Sequence, residues 1–207
     1  MNHYYTDNRD LDSKRKQFEY YFDNEVFRFT TDNGVFSKDN VDYGSYILIK
    51  TIYKNDLGRS LLDLGSGYGP IGIILKRFNP EVDIEMVEVN SRAVELSILN
   101  CQNNKTDIKV HECEDICKLD HKFDTIVLNP PIRAGKKVIY ELYEKSKMML
   151  NENGHLYIVI RKAHGASSSI KELETLFKEV RTINRDSGYL VIDSHNWFYT
   201  NYLKGRR

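Results

Sequence analysis

"LLDLGSGYGPIG", residues 61–72, changes character twice within one short stretch. Leu61, Leu62 and Leu64 make an apolar run suited to a strand buried on both faces. Gly65, Gly67 and Gly69 follow, where a backbone without Cβ atoms adopts positive φ and lets a ligand approach closely. Pro70 then suits the first turn of a helix, which Asn79-Pro80 ends. Strand, glycine turn and helix in that order predict an α/β protein with a parallel sheet.

The flanking sequence repeats the alternation. Short runs rich in β-branched residues predict strands at 60–65, 82–89 ("VDIEMVEV"), 107–112 ("DIKVHE"), 123–129 ("FDTIVLN") and 154–160 ("GHLYIVI"). Helical patterns fall at Pro70–Phe78, Arg92–Asn103, Lys136–Leu150 and Ser168–Phe177. "EVRTIN" (179–184) and "GYLVID" (188–193) are too close for a helical crossover, so "RDSG" between them predicts an antiparallel hairpin. Upstream, "EVFRFTTDNGVFS" (25–37) alternates around Asp32-Asn33-Gly34 and predicts a small N-terminal hairpin. The expected organisation is a polar segment at 1–24, one domain at 25–196 whose residues 25–45 form hairpin and ligand loop, and an aromatic and basic tail at 197–207.

A chain of 207 residues is long enough for one substantial core. Its 41% hydrophobic and 29% charged content is ordinary for a globular protein. No apolar run approaches the roughly 20 residues that span a bilayer, and "MNHYYTDNRDLDSKRK" is too polar for a signal peptide. Three cysteines, an odd number, suggest reduced thiols and a cytoplasmic location. The formal net charge of zero hides an asymmetry: residues 1–131 carry 16 Lys/Arg against 22 Asp/Glu, and residues 132–207 carry 14 against 8. Solvated helix faces are the ordinary source of such a split, and a face for a polyanion gains weight only if the site chemistry asks for one.

Two cofactor readings meet at the glycine turn. Gly67, Gly69 and Gly72 match the dinucleotide pattern G-x-G-x-x-G, with Glu88 about 20 residues on, so a nicotinamide oxidoreductase is one reading. Asp63, two residues before the first glycine, would repel a pyrophosphate and attract a cofactor bearing an ammonium and a sulfonium. Asn129-Pro130-Pro131, which stops a strand because proline cannot donate to the ladder, has no role in hydride transfer. With acid-x-Gly-x-Gly-x-Gly at Asp63–Gly69 and the asparagine-proline pair, the chain resembles the class I S-adenosylmethionine-dependent methyltransferases. That resemblance implies a Rossmann-like, seven-stranded methyltransferase sheet, mostly parallel with an antiparallel C-terminal hairpin. It implies S-adenosylmethionine as cofactor, with Glu88 accepting from both ribose hydroxyls and Asp115 from the adenine amino group.

In methyltransferases with this motif the target is a planar nitrogen whose lone pair is delocalised. The Asn129 side-chain oxygen and the Pro130 carbonyl would accept its two N–H bonds and aim the lone pair at the methyl, with Pro131 stiffening the turn. The cofactor is already activated, so no metal is expected.

"NPPIRAGK" together with "GVFSKDNVDYGS" (34–45) resembles the RsmC-type ribosomal RNA guanine-N2 methyltransferases in a short, single-domain form, over about residues 25–193. The resemblance implies that Asp42 and Gly44 lie near the methionine end of the cofactor and that the partner is ribosomal RNA or the small ribosomal subunit. Longer relatives carry a second, N-terminal methyltransferase-like domain that this chain is too short to hold. Many enzymes with the motif follow the prolines with Tyr or Phe; here Ile132 takes that place, so stacking on the base falls to another residue, for which Phe36 is the candidate. Arg133, Lys136 and Lys137 form a basic rim suited to phosphates. Adenine N6, a protein glutamine amide and a non-catalytic RNA-binding role are the alternatives. His111, Cys113, Cys117 and His121 cluster without a common zinc spacing, and strand-face packing is the expectation for His111 and Cys113.

Overall fold

A computed structural model of the chain describes residues 12–113 and 115–196; the tail at 197–207, residues 1–11 and the side chain of Cys117 lie outside that description. The chain enters through a hairpin, β1 (Lys16–Phe22) and β2 (Glu25–Thr31), followed by helix α1 (Tyr43–Ile52). It then alternates through β3 (Ser60–Leu64), α2 (Pro70–Phe78), β4 (Asp83–Glu88), α3 (Ser91–Asn104), β5 (Lys109–Glu112), β6 (Phe123–Leu128) and α4 (Lys136–Met149). The last elements are β7 (Leu150–Arg161), α5 (Ala166–Leu176), β8 (Glu179–Asp186) and β9 (Tyr189–His195).

Among the described residues, seven strands form one sheet in the order β5-β4-β3-β6-β7-β9-β8. Strands β3 to β7 pair in parallel, and β9 runs antiparallel to both β7 and β8. This is the predicted Rossmann-like methyltransferase sheet with its C-terminal hairpin. Ser187 and Gly188, at φ 47° and 80°, make the two-residue turn of that hairpin. One face of the sheet is covered by α1, α2 and α3, around Ile47, Ile74, Met86 and Leu96, and the other by α4 and α5, around Tyr143 and Leu173. Gly72 permits the close packing: a Cβ there would meet the Met86 sulfur at 2.8 Å.

The register positions the site. Leu64 pairs with Leu128 across β3 and β6, so the glycine turn and Asn129 leave the sheet side by side. The chain winds outward from β3 through β4 to β5, then returns through β6 to β7. The two motifs therefore flank the crevice where strand order reverses, the place such sheets bind ligands.

The N-terminal hairpin lies earlier than its expected position. Its turn is Asp23-Asn24, both at positive φ (44° and 65°), and not Asp32-Asn33-Gly34. Asp and Asn tolerate this conformation, and a two-residue turn of that hand matches the twist of paired strands. Phe18 and Phe22 from β1 thereby join Phe27 and Phe29 from β2 in the core. Asp32 instead ties down the preceding chain, accepting from the Ser13 hydroxyl at 2.7 Å and the Lys14 N–H at 2.5 Å. Asparagines of α3 dock the hairpin on the main body: Asn100 accepts from Thr30 N–H (2.7 Å) and donates to Thr30 O and Tyr68 O, both 2.9 Å.

Helix α1 is an element that the apolar pattern does not announce. Asp42 caps it, accepting from the backbone N–H groups of Gly44 and Ser45 at 3.0 and 3.2 Å. Its Ile47, Leu48, Ile49 and Ile52 are fully buried.

Candidate active site

A cavity of about 1000 Å³ opens at the carboxyl edge of β3 and β6. Its floor is Gly65, Ser66 and Gly67; Asn129 to Arg133 form one side and residues 34–39 another. Asp42, which caps α1, Ser45 within it, Arg161 at the end of β7, His164 just beyond and Tyr189 at the start of β9 also line it. Phe36, Asp42, Gly65, Gly67, Asn129, Pro130, Pro131, Ile132 and Arg133, all singled out from sequence, thus meet at one opening.

Asn129 is held from behind. Its amide nitrogen lies 3.2 Å and 3.4 Å from the two Asp42 carboxylate oxygens and 3.1 Å from the Ser45 hydroxyl. A carboxylate only accepts, so the amide NH₂ must face Asp42 and the amide oxygen is turned away from it. The carboxylate that caps α1 therefore sets the direction of an acceptor at the end of β6. Pro131 continues the stiffening by accepting the Ala134 N–H at 2.9 Å, which closes a short turn over Ile132–Ala134.

Beneath the glycine turn, Asp63 is 1% exposed and does not line the cavity. One of its oxygens accepts the Gly72 N–H at 2.9 Å, steadying the first turn of α2. Burial pushes its carboxyl pKa up to about 7, the Gly72 bond opposing and the Glu88 charge adding. Glu88, at the end of β4, is also buried and does not reach the cavity surface. It accepts from the backbone N–H groups of Gly67 (2.8 Å), Val89 (2.8 Å) and Asn90 (3.0 Å). Burial raises its pKa, and these three bonds oppose the rise.

The remaining sequence candidates lie outside this wall. Asp115 pairs with Lys145 of α4 at 3.0 Å. Gly44 sits behind the wall in the first turn of α1, where a Cβ would come 3.0 Å from Asp42 Oδ1 and 3.2 Å from the Tyr189 ring. Gly69 caps α2 at φ 92°. Lys136 begins α4 in solvent, and Lys137 is 91% exposed and 4.0 Å from Glu141. The histidines of the His/Cys cluster converge on the buried Glu85, His111 at 2.6 Å and His121 at 3.2 Å, while the Cys113 thiol donates to Asp115 O at 3.0 Å. At the opposite end of β6 and β7, His155, Asp193 and His195 bring ligating atoms within 4.8 Å of one another, and His155 Nδ1 bonds Asp193 Oδ1 at 2.8 Å.

Ser45, Ser66, Arg161 and Tyr189 are site residues that no sequence motif marked. The polar serines of "DYGS" and "GSG" are weak signals, and Arg161 and Tyr189 lie at ordinary strand ends.

The residues present fit S-adenosylmethionine. The Ser66 hydroxyl and Asp63 Oδ1 are buried without a hydrogen-bond partner among the described residues, one on the cavity floor and one beneath the same turn. Gly65 and Gly67 line the cavity at φ 72° and 59°, and a side chain at Gly67 would project into open space. A buried carboxyl and a free hydroxyl at the turn suit a cofactor that is cationic at one end and hydroxylated in the middle.

Residues 26–193 match the family model of the methyltransferase small domain. The chain is 42% identical over 193 residues to the uncharacterized protein YbxB of Bacillus subtilis (strain 168), covering 92% of this chain and 96% of that one. It is 32% identical over 180 residues to the ribosomal RNA small subunit methyltransferase C of Aliivibrio fischeri (strain ATCC 700601 / ES114), covering 85% of this chain and 52% of that one. Among solved structures it is similar to the T. thermophilus 16S rRNA N2 G1207 methyltransferase (RsmC) in complex with AdoMet and guanosine. That match has a TM-score of 0.80 at 23% identity and covers 90% of this chain and 52% of the other. The chain thus spans about half the length of these RsmC relatives. The fold, the glycine turn and the family match agree: the chain belongs to the methyltransferase small domain family and is a class I, S-adenosylmethionine-dependent methyltransferase.

Proposed function

We propose that the chain methylates the exocyclic N2 of a guanine in small-subunit ribosomal RNA, as a cytoplasmic enzyme. The observation that carries this reading is the anchored Asn129 amide beside Pro130 and Pro131. An exocyclic amine conjugated to a purine is a poor nucleophile. The Asn129 oxygen and the Pro130 carbonyl would accept hydrogen bonds from its two N–H groups and favour a pyramidal nitrogen. As the N–C bond forms and the sulfonium S–C bond breaks, one N–H proton would leave to solvent. Asp42 and Ser45 keep that acceptor aimed before substrate arrives, so little reorganisation is needed in the transition state.

Bound S-adenosylmethionine supplies a methyl group on a sulfonium. Gly65, Ser66 and Gly67 would hold its methionine end, with the Asp63 carboxyl beneath. Glu88 would accept from the ribose hydroxyls and Asp115, here paired with Lys145, from the adenine amino group. Arg133 holds backbone phosphate at the mouth, with Lys136 and Lys137 extending that contact along α4. The choice of small-subunit ribosomal RNA is supported by the likeness to the Aliivibrio fischeri relative, whose name states it, and that of guanine N2 by the likeness to the T. thermophilus structure.

The test is tritiated S-adenosylmethionine with 30S subunits and with naked ribosomal RNA, digested to nucleosides. Label in N2-methylguanosine is expected. Label in N6-methyladenosine, or in protein, would overturn the guanine assignment.

A further inference from the structure

The residues lining the cavity come from two groups of segments. In one group the loop at 33–36 is tied to the start of α3: Asn90 Nδ2 donates to Gly34 O at 3.4 Å and Arg92 Nη1 to Asn33 O at 2.9 Å. Phe36 lies on this loop, which is tied to the segment that follows Glu88. Tyr68 joins this group, being buried with its hydroxyl on Asn40 O at 3.2 Å. The other group is Ile132, Arg133, Arg161, His164 and Tyr189. Among the described lining residues of that group, Tyr189 carries the largest aromatic ring, with the His164 imidazole beside it.

Its placement is specific. A Cβ built on Gly44 would lie 3.2 Å from Tyr189 Cε1 and 3.5 Å from the Asn129 amide nitrogen, so ring edge and amide flank the same point. Glycine at 44 leaves room for the ring. The Arg161 guanidinium sits over the Tyr189 ring, 5.8 Å from its centroid. The Tyr43 ring, 5.6 Å away, and the Tyr43 hydroxyl, 3.1 Å from Ser187 Oγ, fix the hairpin tip that carries Tyr189 against α1.

We propose that Tyr189 and Arg161 form the nucleobase subsite, a ring and guanidinium surface on which a purine flipped out of its RNA stacks, with Arg161 and His164 facing its phosphate. A base taken from its stack needs a replacement surface, and aromatic rings and guanidinium planes both provide one. Ile132 offers only aliphatic contact at the position where related motifs carry an aromatic residue. The hairpin formed by β8 and β9 supplies the missing ring from a part of the chain distant from the motif. This inference rests on the RNA-guanine reading above and names the residues that would select a base for it.

The experiment uses the full chain as wild type, Tyr189→Ala and Tyr189→Phe. Guanosine 5′-monophosphate binding is followed by NMR titration, and KM and kcat are measured on ribosomal RNA with tritiated cofactor. Tyr189→Ala should weaken nucleotide binding and raise KM for RNA by about 10- to 100-fold, the range expected for loss of one base–aromatic stack. Cofactor affinity and melting temperature should stay near wild type, and Tyr189→Phe should restore binding because it keeps the ring. Arg161→Gln should reduce the slope of RNA affinity against salt by about one.

Equal nucleotide binding by wild type and Tyr189→Ala would overturn the subsite, as would no measurable binding by wild type. If nucleotide binding depends on Tyr189 but no label enters guanine N2, the subsite stands and the guanine-N2 reading falls. If label enters guanine N2 with equal KM in both proteins, that reading stands and the subsite falls.

Discussion

The amide nitrogen of Asn129, at the end of β6, lies 3.2 Å from the Asp42 carboxylate that caps helix α1, 87 residues earlier in the chain. One carboxylate thus serves two elements, ending the loop before α1 and orienting a polar group at the cavity mouth. Asp42→Asn should separate the two duties. Asparagine caps helices about as well as aspartate, so the melting temperature should change little. Its NH₂ no longer compels the Asn129 amide to face it, so kcat should fall by about 10-fold or more, as for a misoriented preorganised group. Parallel losses of stability and turnover would mean that Asp42 acts only as a cap.

Cofactor binding is read through Glu88. S-adenosylmethionine should raise the melting temperature and NAD(H) should not, because only a ligand of the native state stabilises it by mass action. Glu88→Gln keeps the shape but places a donor among the N–H groups of Gly67, Val89 and Asn90. The dissociation constant for the cofactor should rise by about 10- to 100-fold, in line with loss of charge-assisted hydrogen bonds. Unchanged affinity by calorimetry would show that Glu88 serves the loop alone.

Asp63 predicts a pH dependence. Its carboxyl is pushed up to about 7 in the fold by burial, whereas an unfolded aspartate titrates at about 3.9. Between those values the native state holds a proton that the unfolded chain has released, so stability declines as pH rises through this window. Glu88, raised by burial, and His121, raised chiefly by its bond to Asp120, act in the same direction. Both remain in Asp63→Asn, so the difference between the two proteins isolates Asp63. Wild type should lose more stability than Asp63→Asn between pH 5 and 8, on the order of a few kcal/mol at most. Parallel melting curves across that range would contradict the assignment.

Asn100 carries the hairpin. Replacing it with alanine leaves the N–H and C=O of Thr30 and the C=O of Tyr68 without their partner, all in buried surroundings. The expected loss is on the order of 3 kcal/mol in urea denaturation, from several buried groups left unsatisfied. A change under about 0.5 kcal/mol, the range of surface substitutions, would show that the hairpin docks by its aromatic rings alone.

The sheet was legible because its central strands are apolar on both faces, as in Leu61–Leu64 and Ile126–Leu128, and because glycine and proline punctuate their ends. Local signals failed where two competed. Asp32-Asn33-Gly34 looks the stronger hairpin turn, but Asp23-Asn24 places Phe18 and Phe22 against Phe27 and Phe29, and core burial decides. "YGSYILIKTI" hides α1 because its apolar residues are nearly continuous and show no 3.6-residue rhythm; the cap at Asp42 was the available sign. Residues of the glycine turn and the asparagine-proline motif carry their own local signature. The Asp42–Asn129 contact and the approach of Tyr189 do not, since they arise from parallel register and from a hairpin tip folded against α1.

The most direct measurement is single-turnover methylation of ribosomal RNA by Asn129→Ala, with cofactor affinity measured alongside. An acceptor held ready by Asp42 and Ser45 and used mainly in the transition state predicts a rate lower by about 10²–10³-fold at nearly unchanged cofactor affinity. A rate near that of the wild type would contradict the account and leave Asn129 as no more than the residue that ends β6.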